Sequence, residues 1–85
     1  MQIIFHNIFK KKIKKLPSKI QDQFYERLTL FEENKFNTIL NNHSVEKRFS
    51  DCRSINITGD YRAIFKEKIE DICVFVNIGT HSELY

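Results

Sequence analysis

The chain has 85 residues, of which 41% are apolar and 29% charged, which suits one small domain and excludes a disordered segment. Its net charge of +3 is uneven, since residues 1–42 hold eight Lys/Arg against four Asp/Glu and residues 43–85 hold six against seven. The longest apolar run, residues 72–76, is too short for a membrane-spanning helix, which needs about 20 residues. No secretory signal is visible in the first residues, so we expect a single cytoplasmic domain over residues 1–85.

A short edge strand followed by an amphipathic helix is predicted at the start of the chain. Residues 2–5 are apolar enough for the strand, and the helical stripe then recurs at steps of four, four and three, through Phe5, Phe9, Ile13 and Leu16. Pro17 ends this helix near residue 15. The other faces of the helix carry a block of five lysines: Lys10, Lys11, Lys12, Lys14 and Lys15. Such a block either attracts a polyanion or forms a solvated helix face.

A second helix is predicted to begin at Pro17 or Ser18 and to end between residues 33 and 37. Its apolar stripe repeats the same spacing and consists of Ile20, Phe24, Leu28 and Phe31. Two helices separated only by Pro17 indicate a helical hairpin.

The apolar period changes to two in the second half of the chain. Residues 41–51 are polar and loop-like, and Ile55 and Ile57 then alternate with polar neighbours in a strand. Gly59 and Asp60 are typical of a hairpin turn, because glycine readily takes a positive φ.

Two further strands complete the predicted sheet. The first covers residues 61–66, and a charged turn over residues 66–71 leads to the second, over residues 72–78. That last strand is apolar at nearly every position, which predicts a central place, and residues 79–82 break it.

The predicted order is therefore β-α-α-β-β-β. Short hairpin turns force antiparallel pairing, and the helical hairpin has only one sheet against which to bury its stripes. We expect an α+β fold, a two-layer sandwich in which an antiparallel four-stranded sheet carries the helical hairpin on one face.

The two cysteines are too few for a disulfide scaffold, and we expect reduced thiols. Cys73 lies in the most apolar strand and should be buried and inert, whereas Cys52 should be better exposed. No histidine adjoins Cys52 in sequence, so a cysteine nucleophile is disfavoured.

Four reactive polar side chains fall where strands end: His43, Asp60, Arg62 and His81. Histidine exchanges a proton near neutral pH, a carboxylate orients it or accepts a proton, and arginine binds phosphate through two donors. Together these groups suit RNA cleavage by attack of a 2′-hydroxyl, with Tyr61 and Tyr85 available for stacking. Each also has an ordinary structural interpretation, and a metal site from the two histidines and Asp60 lacks ligand spacing.

Three separated motifs resemble the RelE/ParE superfamily of bacterial toxins, specifically its YafQ-like branch of mRNA interferases. They are Asn42-His43, residues 53–65 with the run Gly59-Asp60-Tyr61-Arg62, and residues 78–85 with Gly79-Thr80-His81 and an aromatic four positions after the histidine. The resemblance implies a small sheet with two helices on one face. It further implies cleavage of messenger RNA in the ribosomal A site without a metal or other cofactor, and a cognate antitoxin protein that wraps and blocks the toxin.

Carried over residue by residue, the resemblance implies a catalytic set of five: His43, Asp60, Arg62, His81 and Tyr85. His81 would act as acid or base with Asp60 as its partner, and His43 would be the second proton-transfer group. Arg62 would stabilise the phosphorane, and Tyr85 would position the scissile nucleotide. RNA contacts are expected from the five lysines of the block, Arg53, Asn56 and Tyr61.

Asn56 stands where some members carry a histidine, so the division of acid and base roles stays open. Two other functions compete with the nuclease. One is a non-enzymatic poison that binds gyrase, as on the ParE side of the superfamily, and the other is an idle homologue that only binds its antitoxin.

Overall fold

Two helices cover one face of a five-stranded sheet in the computed structural model, which describes residues 1–69 and 71–85. The elements are β1 (Gln2–Phe5), α1 (Asn7–Lys14), α2 (Ser18–Glu33), a 3-10 turn (Thr38–Leu40), β2 (His43–Ser44), β3 (Cys52–Asn56), β4 (Tyr61–Lys68), β5 (Ile72–Thr80) and α3 (His81–Leu84). Their order across the sheet is β1-β5-β4-β3-β2. The predicted α+β layers and the helical hairpin are confirmed.

The sheet differs from the prediction in strand number and direction. Residues 43–44, predicted as loop, form the short strand β2 against Ser54 and Arg53. β1 pairs with β5 in parallel, from Gln2 opposite Ile72 to Phe5 opposite Phe75, so the sheet is mixed. Hairpin turns dictate antiparallel pairing only between strands that are neighbours in sequence, and β1 and β5 are separated by most of the chain.

The turns around β4 differ in detail from their predictions. The β3–β4 turn lies where Gly59 and Asp60 predicted it, but no glycine has a positive φ. Its loop is closed instead by Thr58, whose Oγ1 accepts from the backbone N–H groups of Asp60 at 3.3 Å and Tyr61 at 3.1 Å. β4 runs on to Lys68, so the predicted charged turn is shorter than expected, and its Glu70 lies outside the described residues.

A cluster of phenylalanine rings forms the core between helices and sheet, which we call the aromatic core. Phe75 of β5 stands at its centre, with ring centroids 5.5–6.0 Å from five neighbours: Phe5, Phe9, Phe24, Phe31 and Phe65. Ile55, Ala63 and Ile78 belong to the same core. Ile78 shares a face with Phe75, three residues before it, because the register of β4 and β5 shifts between the two residues. The helical stripes predicted from sequence supply the other half.

The opposite face of the sheet has a smaller core, which we call the second core. It is formed by Val45, Cys52, Ile64 and Leu84, with Phe49 and Val76 packed against it. Cys52 is thus buried, and the expectation that it is better exposed was wrong, because the 45–50 segment and α3 fold over it. Burial raises the pKa of both cysteine thiols, which makes them poor nucleophiles.

The C-terminal helix α3 was not predicted. β5 continues through Gly79 and Thr80, and α3 then starts with a reciprocal capping box. The Thr80 N–H donates to Glu83 Oε1 at 2.8 Å, and the Glu83 N–H donates to Thr80 Oγ1 at 3.2 Å. A Cβ on Gly79 would lie 3.3 Å from that carboxylate oxygen and 3.5 Å from Leu84 Cγ, so glycine allows α3 to fold back onto the sheet.

Candidate functional site

The candidate site lies at one end of the sheet, where the β3–β4 loop (residues 57–60) meets the start of α3. Asn56, Arg62 and Gly79 stand opposite one another on β3, β4 and β5. Directly opposed residues share a face, so Asn56 and Arg62 project on the side of the second core. Neither lies on the side of the helical layer.

Arg62 is folded onto the loop in front of it. Its NH1 donates to the carbonyls of Thr58 and Tyr61, each at 3.0 Å, and its NH2 donates to the carbonyl of Gly59 at 3.2 Å. Nε has no hydrogen-bond acceptor among residues 1–69 and 71–85. The half-buried guanidinium therefore organises the loop and keeps donors available for an anion.

Asp60 links this loop to α3. Its carbonyl accepts from the His81 backbone N–H at 2.9 Å, so the aspartate and the histidine are held at one place. The Asp60 carboxylate is exposed, and no hydrogen bond or ion pair to it forms within the described parts of the chain. The backbones of His81 and Asp60, two of the predicted site residues, are thus in contact at the end of the sheet where Arg62 lies.

An aromatic row extends from His81 away from the loop. The His81 and Tyr85 ring centroids are 4.8 Å apart at an interplanar angle of 49°, and Phe49 meets Tyr85 edge-on at 6.2 Å. Leu84 lies between His81 and Tyr85 in sequence. Its side chain is buried in the second core and anchors α3 to the sheet. His81 and Tyr85 remain exposed, which suits contact with a base.

The start of α3 also carries a charge. The backbone N–H of Thr80 donates to Glu83 Oε1, and this bond is the main reason that the pKa of Glu83 is lowered, with smaller contributions from the Thr80 side chain and from the positive charge of Lys12. Glu83 is therefore a capping group that accepts from the backbone through Oε1. We assign it no role in proton transfer.

His43 is separated from the other candidates. It lies on β2 opposite Ser54, and about three strand spacings, or roughly 14 Å, separate β2 from β5. Its Nδ1 is 2.7 Å from the Asn41 carbonyl, which can only accept, so Nδ1 is the donor of this bond and Nε2 is the ring nitrogen left for a ligand. The structure does not bring His43 and His81 to one RNA linkage. It therefore does not assemble a metal site from His43, Asp60 and His81 either, and no group of three or more potential metal ligands is found among the described residues.

The remaining predicted RNA contacts lie in different surroundings. Tyr61 packs half-buried against the aromatic core, on the opposite face from Arg62. Arg53 Nε donates to Asn42 Oδ1 at 2.7 Å, and its guanidinium lies 5.7 Å from the Phe36 ring centroid, near the edge formed by β2. Asn56 adjoins Arg62, with its Oδ1 buried and without a hydrogen-bond partner among the described residues. Only Asn56 of these three belongs to the candidate site.

The lysine block lies on α1, which packs along the second half of β5. Lys12 Nζ donates to Asn77 Oδ1 at 2.7 Å and is half-buried. The other four lysines are exposed, as both interpretations of the block require. Lys12 is thus a structural contact as well as part of the block.

Sequence reasoning missed Arg48 and Phe49, which approach the site from the segment before β3. Arg48 Nε donates to the Leu84 carbonyl at 3.0 Å, and Phe49 contacts Tyr85. No periodicity or motif singles them out, since they lie in a polar segment without regular structure. The only available signal was a lone phenylalanine among charged residues.

The site is a surface, not a pocket. One concavity among the described residues, of about 610 Å³, lies at the opposite end of β4, around Ser44, Arg53 and Lys66. Another, of about 320 Å³, lies between α1 and α2, around Phe9, Ile13 and Tyr25. An open end of a sheet suits a large ligand better than a small molecule.

The fold matches those of small bacterial and archaeal toxins. YafQ from E. coli superposes with a TM-score of 0.81 at 18% identity, over 99% of this chain and 97% of that chain. A YoeB/ParE toxin from Agrobacterium tumefaciens gives 0.77 at 8% identity, over 95% and 99% of the two chains. The archaeal RelE–RelB complex from Pyrococcus horikoshii gives 0.73 at 18% identity, over 93% and 92%.

A family model matches nearly the whole sequence. The model for the ParE toxin of type II toxin–antitoxin systems, parDE, matches residues 3–85, and the chain belongs to this family. The predicted membership of the RelE/ParE superfamily, with a YafQ-like fold, is thereby confirmed. No curated protein matches the sequence. No helix in the described parts of the chain combines the length and the apolar character needed to cross a membrane.

Proposed function

We propose that this toxin is a ribosome-dependent endoribonuclease that cleaves messenger RNA in the A site, without a metal. The observation that carries the proposal is the junction of the 57–60 loop with α3. There the Arg62 guanidinium, the Asp60 carboxylate and the His81 ring are held at one open end of the sheet by backbone hydrogen bonds. An inert binding surface needs no such grouping of a cation, a carboxylate and an imidazole.

The chemistry needs three groups around one linkage. A base takes the proton of a ribose 2′-hydroxyl, and the resulting oxygen forms a bond to the adjacent phosphorus. The bond from phosphorus to the 5′-oxygen breaks, and an acid gives that oxygen a proton. In our proposal Asp60 is the base, His81 is the acid and Arg62 neutralises the phosphorane through its free donors.

Tyr85 and Asn56 would position the substrate on either side of these groups. The Tyr85 ring, which lies tilted against His81, would offer a face to the scissile nucleotide. The buried Asn56 Oδ1 accepts no hydrogen bond from the described residues. It could therefore accept one from a ribose hydroxyl or a protonated phosphate next to Arg62.

His43 would act farther along the RNA. A separation of about three strand spacings from β5 is too large for the same linkage, so we place His43 on a neighbouring nucleotide, where its free Nε2 accepts a hydrogen bond. Tyr61 and Arg53 would support this surface from its edges.

The partners would be a cognate antitoxin and the ribosome, both in the cytoplasm. Two of the superposed structures are complexes of a toxin with a second protein, DinJ–YafQ and RelE–RelB, which supports an antitoxin partner here. The exposed lysines of α1 would grip ribosomal RNA. If about four phosphates are contacted, ribosome affinity falls with salt at a logarithmic slope of roughly −3.

The test is primer extension on messenger RNA in a translating extract. We expect codon-specific cuts that fall by about 10²–10⁴-fold in His81→Ala, because the leaving oxygen loses its acid. Ser82→Ala, an exposed neighbour on the same helix, is the matched control and should cut normally. Absence of cuts with the unmodified toxin would contradict the proposal.

A second candidate is a non-enzymatic inhibitor of gyrase. The family model that matches is that of ParE, the side of the superfamily with that activity. Expression would then damage DNA without cutting messenger RNA, and His81→Ala would leave toxicity unchanged. The same pair of proteins therefore separates the two functions.

A further inference from the structure

We propose that Arg48 and Phe49 are positioning residues that hold the His81–Tyr85 pair in its working orientation. They come from residues 45–50, a segment without catalytic groups that lies between β2 and β3 in sequence. The inference rests on the proposed function for its effect on RNA, but its structural part can be measured without any cleavage.

The first observation is how α3 is held. The helix has only four residues and is too short to be stable alone. Its start is fixed by the Thr80–Glu83 capping box and by the Asp60 carbonyl. Its end accepts one side-chain hydrogen bond from the described residues, which runs from Arg48 Nε to the Leu84 carbonyl at 3.0 Å.

Arg48 donates to a carbonyl at the C-terminal end of α3. The carbonyls at the end of a helix lack partners within the helix, and a cation there also matches the negative end of its dipole. An arginine at this point therefore stabilises the last turn, from which the Tyr85 ring reaches back to His81.

Phe49 supports the same ring from the other side. It packs on the second core beside Leu84 and meets Tyr85 edge-on at 6.2 Å. Its own backbone is tied down, because its N–H donates to the Val45 carbonyl at 2.8 Å, and the Arg48 N–H donates to the same carbonyl at 3.0 Å. The segment thus brings both side chains to α3 from a fixed turn.

The consequence is a row of contacts that fixes a flexible end. Tyr85 lies between Phe49 and His81, and the carbonyl before Tyr85 is held by Arg48. Loss of Arg48 would free the last turn, and the His81 ring would lose its contact with the Tyr85 ring. A small displacement of a catalytic group lowers turnover by up to about 100-fold.

Lys47 provides a matched control. It is exposed, it adjoins Arg48, and it makes no hydrogen bond or ion pair within the described parts of the chain. Arg48→Ala and Lys47→Ala each remove one positive charge, so any common loss of attraction to the ribosome appears equally in KM. A difference in kcat then reports positioning.

The experiment measures the NMR chemical shifts of the His81 ring and the kinetics of cleavage in the same four proteins: the unmodified toxin, Arg48→Ala, Phe49→Leu and Lys47→Ala. We expect the His81 ring protons to move toward free-histidine values in the first two variants, because the ring current of Tyr85 is lost, and to stay in place in Lys47→Ala. In Arg48→Ala we expect kcat to fall by about 10- to 100-fold, and we expect this loss to accompany the change in the His81 chemical shifts.

Each outcome has a meaning. Unchanged His81 shifts in Arg48→Ala would overturn the positioning role. If the His81 shifts change as expected but the unmodified toxin does not cut RNA, the positioning role of Arg48 is supported and the proposed nuclease function is contradicted. If Arg48→Ala does not fold, Arg48→Lys keeps the charge without the planar donor group and should give an intermediate shift, whereas a full wild-type shift there would overturn the role of the guanidinium.

Discussion

The two faces of the sheet differ in what covers them. One face is covered by two helices and filled with six phenylalanine rings, and its core cluster consists of apolar side chains. The other face is covered only in part, by a four-residue helix and the 45–50 segment, and it leaves Ser54 Oγ and Asn56 Oδ1 buried without partners among the described residues. Stability is concentrated on the first face, which leaves the second free to hold reactive groups in place.

Of the substitutions that test this difference between the two faces, Phe75→Ala should lower the free energy of unfolding most. It removes the central ring of the aromatic core, and we expect the free energy of unfolding to fall by about 3–5 kcal/mol in urea titrations, enough to unfold much of a small domain. Phe36→Ala is the control, since that ring is 58% exposed. Equal losses in both variants would show that the aromatic core is not the main source of stability.

Leu84→Ala should have a smaller effect on stability and a larger one on the site. Leu84 is 2% exposed in the second core, and its loss should cost about 2–3 kcal/mol in the same titration. Because Leu84 anchors α3, the His81 and Tyr85 resonances should broaden or shift as well, which Phe36→Ala should not cause. Leu84→Ala as costly as Phe75→Ala would mean that the two cores contribute equally.

Ser54→Ala should raise the free energy of unfolding, by about 1 kcal/mol. The Ser54 hydroxyl is buried and has no partner among residues 1–69 and 71–85, and removal of an unsatisfied polar group relieves its desolvation penalty. Ser50→Ala, at an exposed position, should change little. Destabilisation by Ser54→Ala would reveal a contact that the hydroxyl makes in solution, for example with an ordered water.

The smallest effect should come from pH. The pKa of Glu83 is lowered in the folded protein, so its carboxylate favours the capped form of α3 above the unfolded pKa, and this contribution disappears as the pH falls through the lowered value. The Thr80 amide shift should follow that titration in the unmodified protein and lose it in Glu83→Gln. If the Thr80 amide shift has the same pH dependence in both proteins, a group other than Glu83 causes it.

The sequence predicted the first face of this molecule better than the second. The stripes through Phe9 and Phe24 identified both helices, because a long amphipathic period is a strong signal. The two-residue strand β2 and the four-residue helix α3 are too short for any period, although the Thr80-x-x-Glu83 spacing of a capping box was present and was not used. The pairing of β1 with β5 depends on contacts between distant segments, which no local pattern encodes.

The same limit applies to the candidate site. The motif around Gly59–Arg62 and the one around His81 predicted residues that do meet, because each lies at the end of a strand in the same hairpin system. His43 was grouped with them because histidine exchanges protons and because Asn42-His43 resembles a motif of the family. Its distance from them depends on the number of strands that lie between, and the sequence did not show that β3 and β4 separate it from β5.

The parallel pairing of β1 with β5 has a consequence during synthesis. The first strand has no partner until residues 72–75 have emerged from the ribosome, so the nascent chain cannot complete its sheet while most of it is being made. Contacts between such distant segments slow folding. The sheet of this toxin is therefore completed only after its own messenger has been read nearly to the end of this domain.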